Sequence, residues 1–398
     1  MNDKNNMSEK PSSVVFVSNF FNHHQKPFSD AMYRILGENY CFIETSEVSK
    51  DRKQMGLSKF VIPSYGVSFQ EHEKDPARYQ EIIDQADVVI CGSAPYALVK
   101  KRIHENKLTF CYSERPLKKG MENWKYPIRF IRWHRWYPNS KQVYLLCSSA
   151  YAAADYAKFG LFKRKAYKWG YFPEIKEYAS IQSLIAAKKP KTLLWAGRLI
   201  DWKHPEIALE VARMLQADGY DFRLNIIGNG VLENFLKQRI SAEGLDDCVH
   251  MLGSMQPEQV REYMERSEIF LFTSDRQEGW GAVLNESMNS ACAVVASHAI
   301  GSVPFLIENG KNGVIYKDND LDDLYQKVKW LLDNETERCR LALKAYETMI
   351  QKWNAENAAN RLIALSKALL DGQRYPGLFG DDVCSCAEIL SDHWYLCR

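Results

Sequence analysis

Short apolar runs recur along the chain, separated by stretches with a helical period. Val14-Val-Phe-Val-Ser18 is β-branched and aromatic, and a polar turn and an amphipathic stretch through Ile35 follow it. That order predicts a strand feeding a helix. Comparable runs stand at residues 86–91, 108–112 and 143–147, bounded by polar, Gly or Pro residues with helical patterns between most of them. Alternation of this kind predicts an α/β domain with a largely parallel sheet.

A second series begins after the polar Lys188-Lys189-Pro190, which closes a short helical pattern in residues 178–190. The expected elements are strands at 192–196, 222–227, 249–252, 269–273 and 293–296. Helices are expected at 204–218, 232–243, 257–266 and 282–290. Such regularity predicts a second doubly wound domain. Residues 335–370 read as helical throughout, whereas the tail from residue 371 mixes Gly, Pro, acids and aromatics without a period. The expected division is 1–188, 189–352 and 353–398, the last holding a helix that crosses back toward the first domain, plus the tail.

A length of 398 residues suits two cores better than one, and 46% hydrophobic with 26% charged residues is a globular composition. The net charge of +2 excludes a surface given over to nucleic acid. No apolar run reaches the roughly 20 residues of a membrane span. The polar stretch before residue 14 is not a secretory signal by pattern. The ten cysteines are scattered, five of them inside apolar runs (Cys41, Cys91, Cys111, Cys147, Cys292), which reads as reduced buried thiols in a cytoplasmic protein. Cys384 and Cys386 form a lone C-x-C with no second pair to complete a metal site.

Two loops of the second series carry candidate chemistry. The first reads Gly197-Arg198-Leu-Ile-Asp-Trp-Lys203-His204. A guanidinium can hold two phosphate oxygens and an ammonium adds a point charge, so Arg198 and Lys203 together can neutralise a diphosphate; two solvated surface cations are the plain alternative. The later loop reads Ser274-Asp-Arg-Gln-Glu278-Gly279-Trp280-Gly281-Ala-Val-Leu-Asn-Glu286-Ser287. Gly279 and Gly281 flank a helix start, where free N–H groups favour an anion and a missing side chain admits a ligand to the backbone. Glu278 and Glu286 are carboxylates that can accept paired hydrogen bonds from vicinal hydroxyls. The acids at Asp318-Asn-Asp320 and Asp322-Asp323 read as a solvated turn.

Gly-Arg with Lys five residues after the Arg, then Glu-x7-Glu, resembles family 4 of the glycosyltransferases, of the bacterial surface-polysaccharide type. The resemblance covers residues 190–330 and includes Ile-Ile-Gly228-Asn-Gly230, Leu-Gly253 and Glu308-Asn-Gly310-Lys-Asn-Gly313. It implies the GT-B arrangement, two facing Rossmann-like domains with a cleft between them. The first would be acceptor-side and the second would bind the donor. It also implies a retaining hexosyl or related transfer from a nucleotide-diphosphate sugar to a glycan or lipid-linked acceptor, in surface polysaccharide or glycolipid assembly. By position, Gly197, Arg198 and Lys203 would hold the donor diphosphate, Glu278 the transferred sugar and Glu286 the ribose. Ser254 and Met255 would lie beside the base, and Gly279, Trp280 and Gly281 would complete the donor site. No cofactor and no metal are expected. A sugar-nucleotide epimerase of the same fold and a non-catalytic nucleotide- or nucleic-acid-binding module are the alternatives. No G-x-G-x-x-G follows either first strand, which argues against a dehydrogenase.

The first domain departs from that pattern. Where relatives carry a Gly-Gly turn, this chain has Ser18-Asn19-Phe-Phe-Asn22-His23-His24-Gln25. Asn22, His23 and His24 are candidates for phosphate or acceptor hydroxyls, or else form a helix cap. In Cys111-Tyr-Ser113-Glu114-Arg115-Pro116, Glu114 is the candidate to orient an acceptor hydroxyl or take its proton, unless Arg115 simply ion-pairs with it. Downstream, Lys125, Arg129, Arg132 and Arg135 interleave with Trp124, Tyr126, Phe130, Trp133 and Trp136. Rings at headgroups and cations at phosphates suit an anionic membrane surface or a lipid-diphosphate acceptor. The same composition also suits single-stranded nucleic acid or a partly buried helix with snorkelling cations. The expected location is cytoplasmic, peripheral on the inner face of the plasma membrane, with no nucleic-acid partner.

Overall fold

The computed structural model describes residues 13–47, 61–373 and 377–396. The polar stretch judged not to be a secretory signal lies, apart from Ser13, outside them. The chain divides into two compact units. One takes the chain up to Glu174 and returns for Ala355–Leu390; the other takes Ile175–Asn354 and the chain from Ser391.

The first unit is built on a seven-stranded sheet of order β3-β2-β1-β4-β5-β6-β7, every pairing parallel. Its strands are β1 (Val14–Ser18), β2 (Tyr40–Glu44), β3 (Gly66–Val67), β4 (Val88–Cys91), β5 (Thr109–Ser113), β6 (Val143–Cys147) and β7 (Ala166–Lys168). Every residue of β1 and β4 is buried, as a parallel strand covered on both faces requires. The helix Lys26–Leu36 lays Phe28, Ala31, Met32 and Leu36 on the sheet. The helix Ala355–Leu370 packs against it, burying Ala358, Ala359, Leu362 and Ile363 among others.

The second unit carries a six-stranded parallel sheet of order β10-β9-β8-β11-β12-β13. The strands are β8 (Lys189–Ala196), β9 (Arg223–Ile227), β10 (Val249–Met251), β11 (Ser267–Phe272), β12 (Ala293–Ser297) and β13 (Val314–Tyr316). Leu193, Trp195, Ile226, Ile269, Leu271 and Val295 form one core with Leu209 and Leu215 of the helix Pro205–Ala217. Strand order reverses between β1 and β4 in one sheet and between β8 and β11 in the other. In open α/β sheets such reversals leave a crevice at the carboxyl ends of the strands.

Four expectations change. The boundary read at residue 188 falls at 174, because Tyr178 already donates its hydroxyl to Glu265 (2.8 Å) and Lys176 its backbone N–H to Asn289 (2.9 Å). Lys188, read as part of a polar linker, is 6% exposed. Its ammonium donates to the carbonyls of Met264, Ser267 and Ser290 at 2.8–2.9 Å. The helix read through residues 335–370 stops at Gln351 and resumes at Ala355. Between them Trp353 turns inward, 5.8 Å from the ring of Trp280 and stacked at 6.1 Å on that of Phe305. The aperiodic tail extends the first sheet: Cys384 N–H donates to Lys168 (2.9 Å) and Lys168 N–H to Ser385 (2.8 Å), a bridge antiparallel to β7. Each described cysteine is a free thiol, and Cys384 is buried while Cys386 is exposed.

Candidate functional site

In the second unit β8 ends at Ala196, and the loop that follows is tied to both neighbouring strands. Gly197 N–H donates to Ile227 (3.0 Å) and Leu199 N–H to Asn229 (2.8 Å). Gly228 and Gly230 have φ of +140° and +157°, and a Cβ there would stand 1.8 and 2.3 Å from the carbonyl oxygens of Gly197 and Leu199. Only glycine fits such an approach. On the other side, the Thr273 hydroxyl lies 2.8 and 2.9 Å from the carbonyls of Lys203 and His204, and it accepts the Trp195 indole N–H at 2.8 Å. Asp275 N–H donates to Trp202 at 2.9 Å. The loop bearing the two candidate cations is therefore pinned to the end of β11.

Lys203 ion-pairs with Glu278, and the same carboxylate accepts the Ser274 hydroxyl at 3.1 Å. Arg198 is exposed, its guanidinium 5.4 Å from the centre of the Trp202 ring. His204 has a left-handed backbone (φ 49°, ψ 52°) and sits between Asp275 (3.6 Å) and Glu206 (2.7 Å). Those two carboxylates, Asp275 first, raise its pKa to about 10, so the loop carries a third cation that the sequence reading missed.

Glu286 lies in the first turn of the helix Val283–Asn289. Burial pushes its pKa up to about 7, partly opposed by Arg261. Neither Glu286 nor Arg198 bonds directly to the Lys203–Glu278 pair. Gly281 has φ +80°, and a Cβ there would meet the Phe272 ring at 2.3 Å. Gly279 is buried. Trp280, taken as a donor contact, is instead a core residue. It is 0% exposed, its indole N–H donates to Asn285 (2.9 Å), and its carbonyl accepts from Ser302 (2.6 Å). Past Gly253, Ser254 is exposed and Met255 half-buried. Asp318, read in a solvated turn, is half-buried at the end of β13, where it accepts the Ser297 hydroxyl (3.1 Å). Asp320 caps the helix Leu321–Asp333.

The first unit opens a cavity of about 760 Å³ at the carboxyl ends of β1, β4, β5 and β6, where Ser18, Gly92, Ser113 and Ser148 line it. Glu114 reaches it with each carboxylate oxygen bound: one accepts the Tyr171 hydroxyl (2.7 Å), the other the Lys118 ammonium (3.1 Å). Arg115 does not pair with Glu114. It turns inward to Asp155 at 3.3 Å and covers the Tyr151 ring. Asn22 and His24 line the cavity, and His23 does not. The Asn22 amide oxygen is engaged by His24 N–H (2.9 Å), a local turn. The His24 ring stacks on Tyr171 at 5.4 Å. Burial, with the neighbouring His23, lowers the His24 pKa to about 3, and its enclosed Nδ1 has no hydrogen-bond partner among the described residues. A neutral imidazole with an unused nitrogen is what a sugar hydroxyl can bond. Tyr96, Tyr112 and Tyr171 complete the wall; only their fold-dependent convergence reveals them.

The basic-aromatic segment forms the helix Tyr126–Trp136. Trp133, taken as a membrane contact, is 7% exposed and packs on Tyr156 and Phe159. Lys125 pairs with Glu122 and lies over Trp124. Trp136 is half-buried, while Ile128 (56%), Ile131 (69%) and Trp124 (66%) are exposed. Arg132 and Arg135 are exposed and Arg129 half-buried on the same helix. Among the described residues, no helix is long and apolar enough to cross a membrane, and no group of three or more His, Cys, Asp or Glu is placed to hold a metal ion.

Residues 178–348 match the family model described as glycosyl transferases group 1. A curated relative, the amylovoran biosynthesis glycosyltransferase AmsK of Erwinia amylovora, is 30% identical over 189 residues, 46% of this chain and 46% of that protein. A putative colanic acid biosynthesis glycosyltransferase, WcaL of Salmonella typhimurium, is 29% identical over 190 residues with the same coverage. The chain thus spans about half the length of the curated relatives it matches. Among solved structures, Anabaena HepE in complex with UDP has a TM-score of 0.65 at 13% identity, covering 91% of this chain and 100% of that one. The pneumococcal O-GlcNAc transferase GtfA in complex with UDP and GlcNAc has a TM-score of 0.63 at 12% identity, covering 90% and 99%. These likenesses show the fold expected from the sequence: two parallel-sheet α/β domains of the GT-B class.

Proposed function

We propose that this protein is a retaining glycosyltransferase of surface polysaccharide or glycolipid assembly. It moves a hexosyl or related sugar from a nucleotide-diphosphate donor to a glycan or lipid-linked acceptor at the cytoplasmic face of the membrane. The observation that carries the reading is the Lys203–Glu278 pair at the carboxyl ends of β8 and β11. A cation and a carboxylate held together suit a ligand that is a diphosphate at one end and a polyol at the other. Arg198 and Lys203 meet the diphosphate, Glu278 the sugar hydroxyls and Glu286 the ribose, with the base beside Ser254 and Met255. The relatives that are glycosyltransferases of polysaccharide biosynthesis, and the structural neighbours in complex with UDP, support this assignment.

On the acceptor side, the first unit's cavity offers Glu114 to a hydroxyl, and His24 lines the same cavity with its Nδ1 enclosed and without a hydrogen-bond partner among the described residues. The acceptor oxygen forms the new bond to the anomeric carbon on the face that the leaving group departs. The bond from that carbon to the diphosphate oxygen breaks, and the departing phosphate takes the hydroxyl proton. Arg198 and Lys203 stabilise the charge that develops on it.

A thermal-shift panel of UDP-, GDP-, ADP- and dTDP-sugars tests the donor assignment. One of them at a hundredfold excess over its Kd should stabilise the fold by about 2.7 kcal/mol, and no shift with any would reject it.

A further inference from the structure

A second concavity, about 680 Å³, lies beside the cavity of the first unit, between the turn at Tyr96 and the outer face of the helix Tyr126–Trp136. Tyr96 and Trp136 line both spaces. Their rings stack at 5.1 Å and 17°, and the Tyr96 hydroxyl donates to the Arg135 carbonyl at 3.2 Å, so the shared wall is fixed from two directions. On the cavity side the wall faces serines, Glu114 and His24. On the groove side it faces Ile128 and Ile131, both more than half exposed. Lys100, Arg132 and Arg135 rim the groove, none of the described residues lining it is acidic, and Arg132 lies 5.1 Å over the Trp136 ring.

A polar cavity and a groove lined by both cations and apolar side chains thus share one aromatic wall. One molecule that matches both sides is a sugar joined through phosphate to a hydrocarbon chain. We propose that the groove holds the first part of the chain of a phosphate-linked lipid acceptor, with the phosphate at Lys100, Arg132 and Arg135 and the sugar in the cavity. The proposal rests on reading that cavity as the acceptor site, and it narrows the acceptor from glycans in general to lipid phosphates. Charge complementarity favours this occupant: three cations with no facing acid repel a cationic peptide and attract a phosphate, while the isoleucines gain only from covering by hydrocarbon.

Binding of farnesyl phosphate, farnesol and inorganic phosphate to the whole chain, followed by calorimetry, tests it. Farnesyl phosphate should bind at least tenfold more tightly than either fragment. The variant Ile128→Glu/Ile131→Glu should lose at least tenfold in that affinity while its unliganded melting temperature is unchanged; both side chains are exposed, so the fold does not depend on them. Equal affinity of wild type and variant for farnesyl phosphate would overturn the proposal. So would a variant that loses only its binding to vesicles containing phosphatidylglycerol, which would assign the face to a membrane surface. The sugar-nucleotide panel is read separately. A protein that binds farnesyl phosphate but no nucleotide sugar fails the transferase reading and leaves the groove standing as a lipid-phosphate site.

Discussion

Lys203 and Glu278, 75 positions apart in the chain, close an ion pair at the carboxyl ends of β8 and β11, each side chain only 13% exposed. Without ligand the two charges satisfy each other, and on the proposed reading a donor draws Lys203 toward phosphate while Glu278 turns to hydroxyls. Each group therefore fixes the other's rotamer before substrate arrives.

That mutual dependence is measurable. Lys203→Met and Glu278→Gln should each destabilise the protein, and the double variant should lose less than their sum, with a coupling of about 1–3 kcal/mol in a urea-denaturation cycle. Additive losses would mean the pair contributes nothing jointly. Lys203→Met should also lower kcat/KM for transfer by about 10²–10³-fold, the scale of removing one charge-stabilising donor.

Glu286 gives a pH signature. Its carboxyl is raised by burial from 4.5 to about 7, so between those values the folded protein holds a proton that the unfolded chain has released. Stability from this group is therefore greatest at low pH, falls as pH rises through that window and levels off above about 8. The ribose contact proposed for Glu286 runs the opposite way, since the ionised carboxylate is the better acceptor of two hydroxyls. Donor affinity should rise through pH 7 in the wild type and be flat across pH 6–8 in Glu286→Gln. An identical pH profile for the two proteins would remove Glu286 from the ribose.

Glu114 separates the acceptor from the donor. One oxygen accepts from Tyr171 and the other from Lys118, so Glu114→Gln keeps the size, gives up one of those bonds at a partly exposed position and weakens the hold on an acceptor hydroxyl. The transfer rate should fall about 10²-fold, with donor affinity and melting temperature unchanged. A rate within twofold of wild type would leave Glu114 as a wall residue.

Much of the second sheet could be read from the chain because each strand is a short apolar run and each helix restores a 3.6-residue period. The two loops that make up the candidate donor site could be picked out too, since Gly, Arg, Lys and Glu stand at fixed spacings in them. Their partners could not. Arg115 follows Glu114 directly, yet neighbours on an extended chain point apart, and it turned to Asp155. Trp280 stands between two glycines and was expected at the donor, but Phe305 and Trp353 form its pocket from segments far along the chain. The break at Trp353 was hidden for the same reason: the residues around it favour helix, and only the waiting aromatic pocket ends it. The tail is held by backbone bonds to β7 and by ion pairs of Asp381 with Lys168 and of Asp382 with Arg361, single contacts that impose no period on the sequence.

Gly228 and Gly230 set how freely the loop of Arg198 can move. Because their bare backbones press on the carbonyls of Gly197 and Leu199, the segment bearing Arg198 cannot drift without parting β8 from β9. Its disorder is surrendered when the domain folds, not when a ligand arrives. Association with an anionic donor then carries little ordering entropy from this segment, and the barrier to exchange of one donor for another is set by contacts rather than by loop motion.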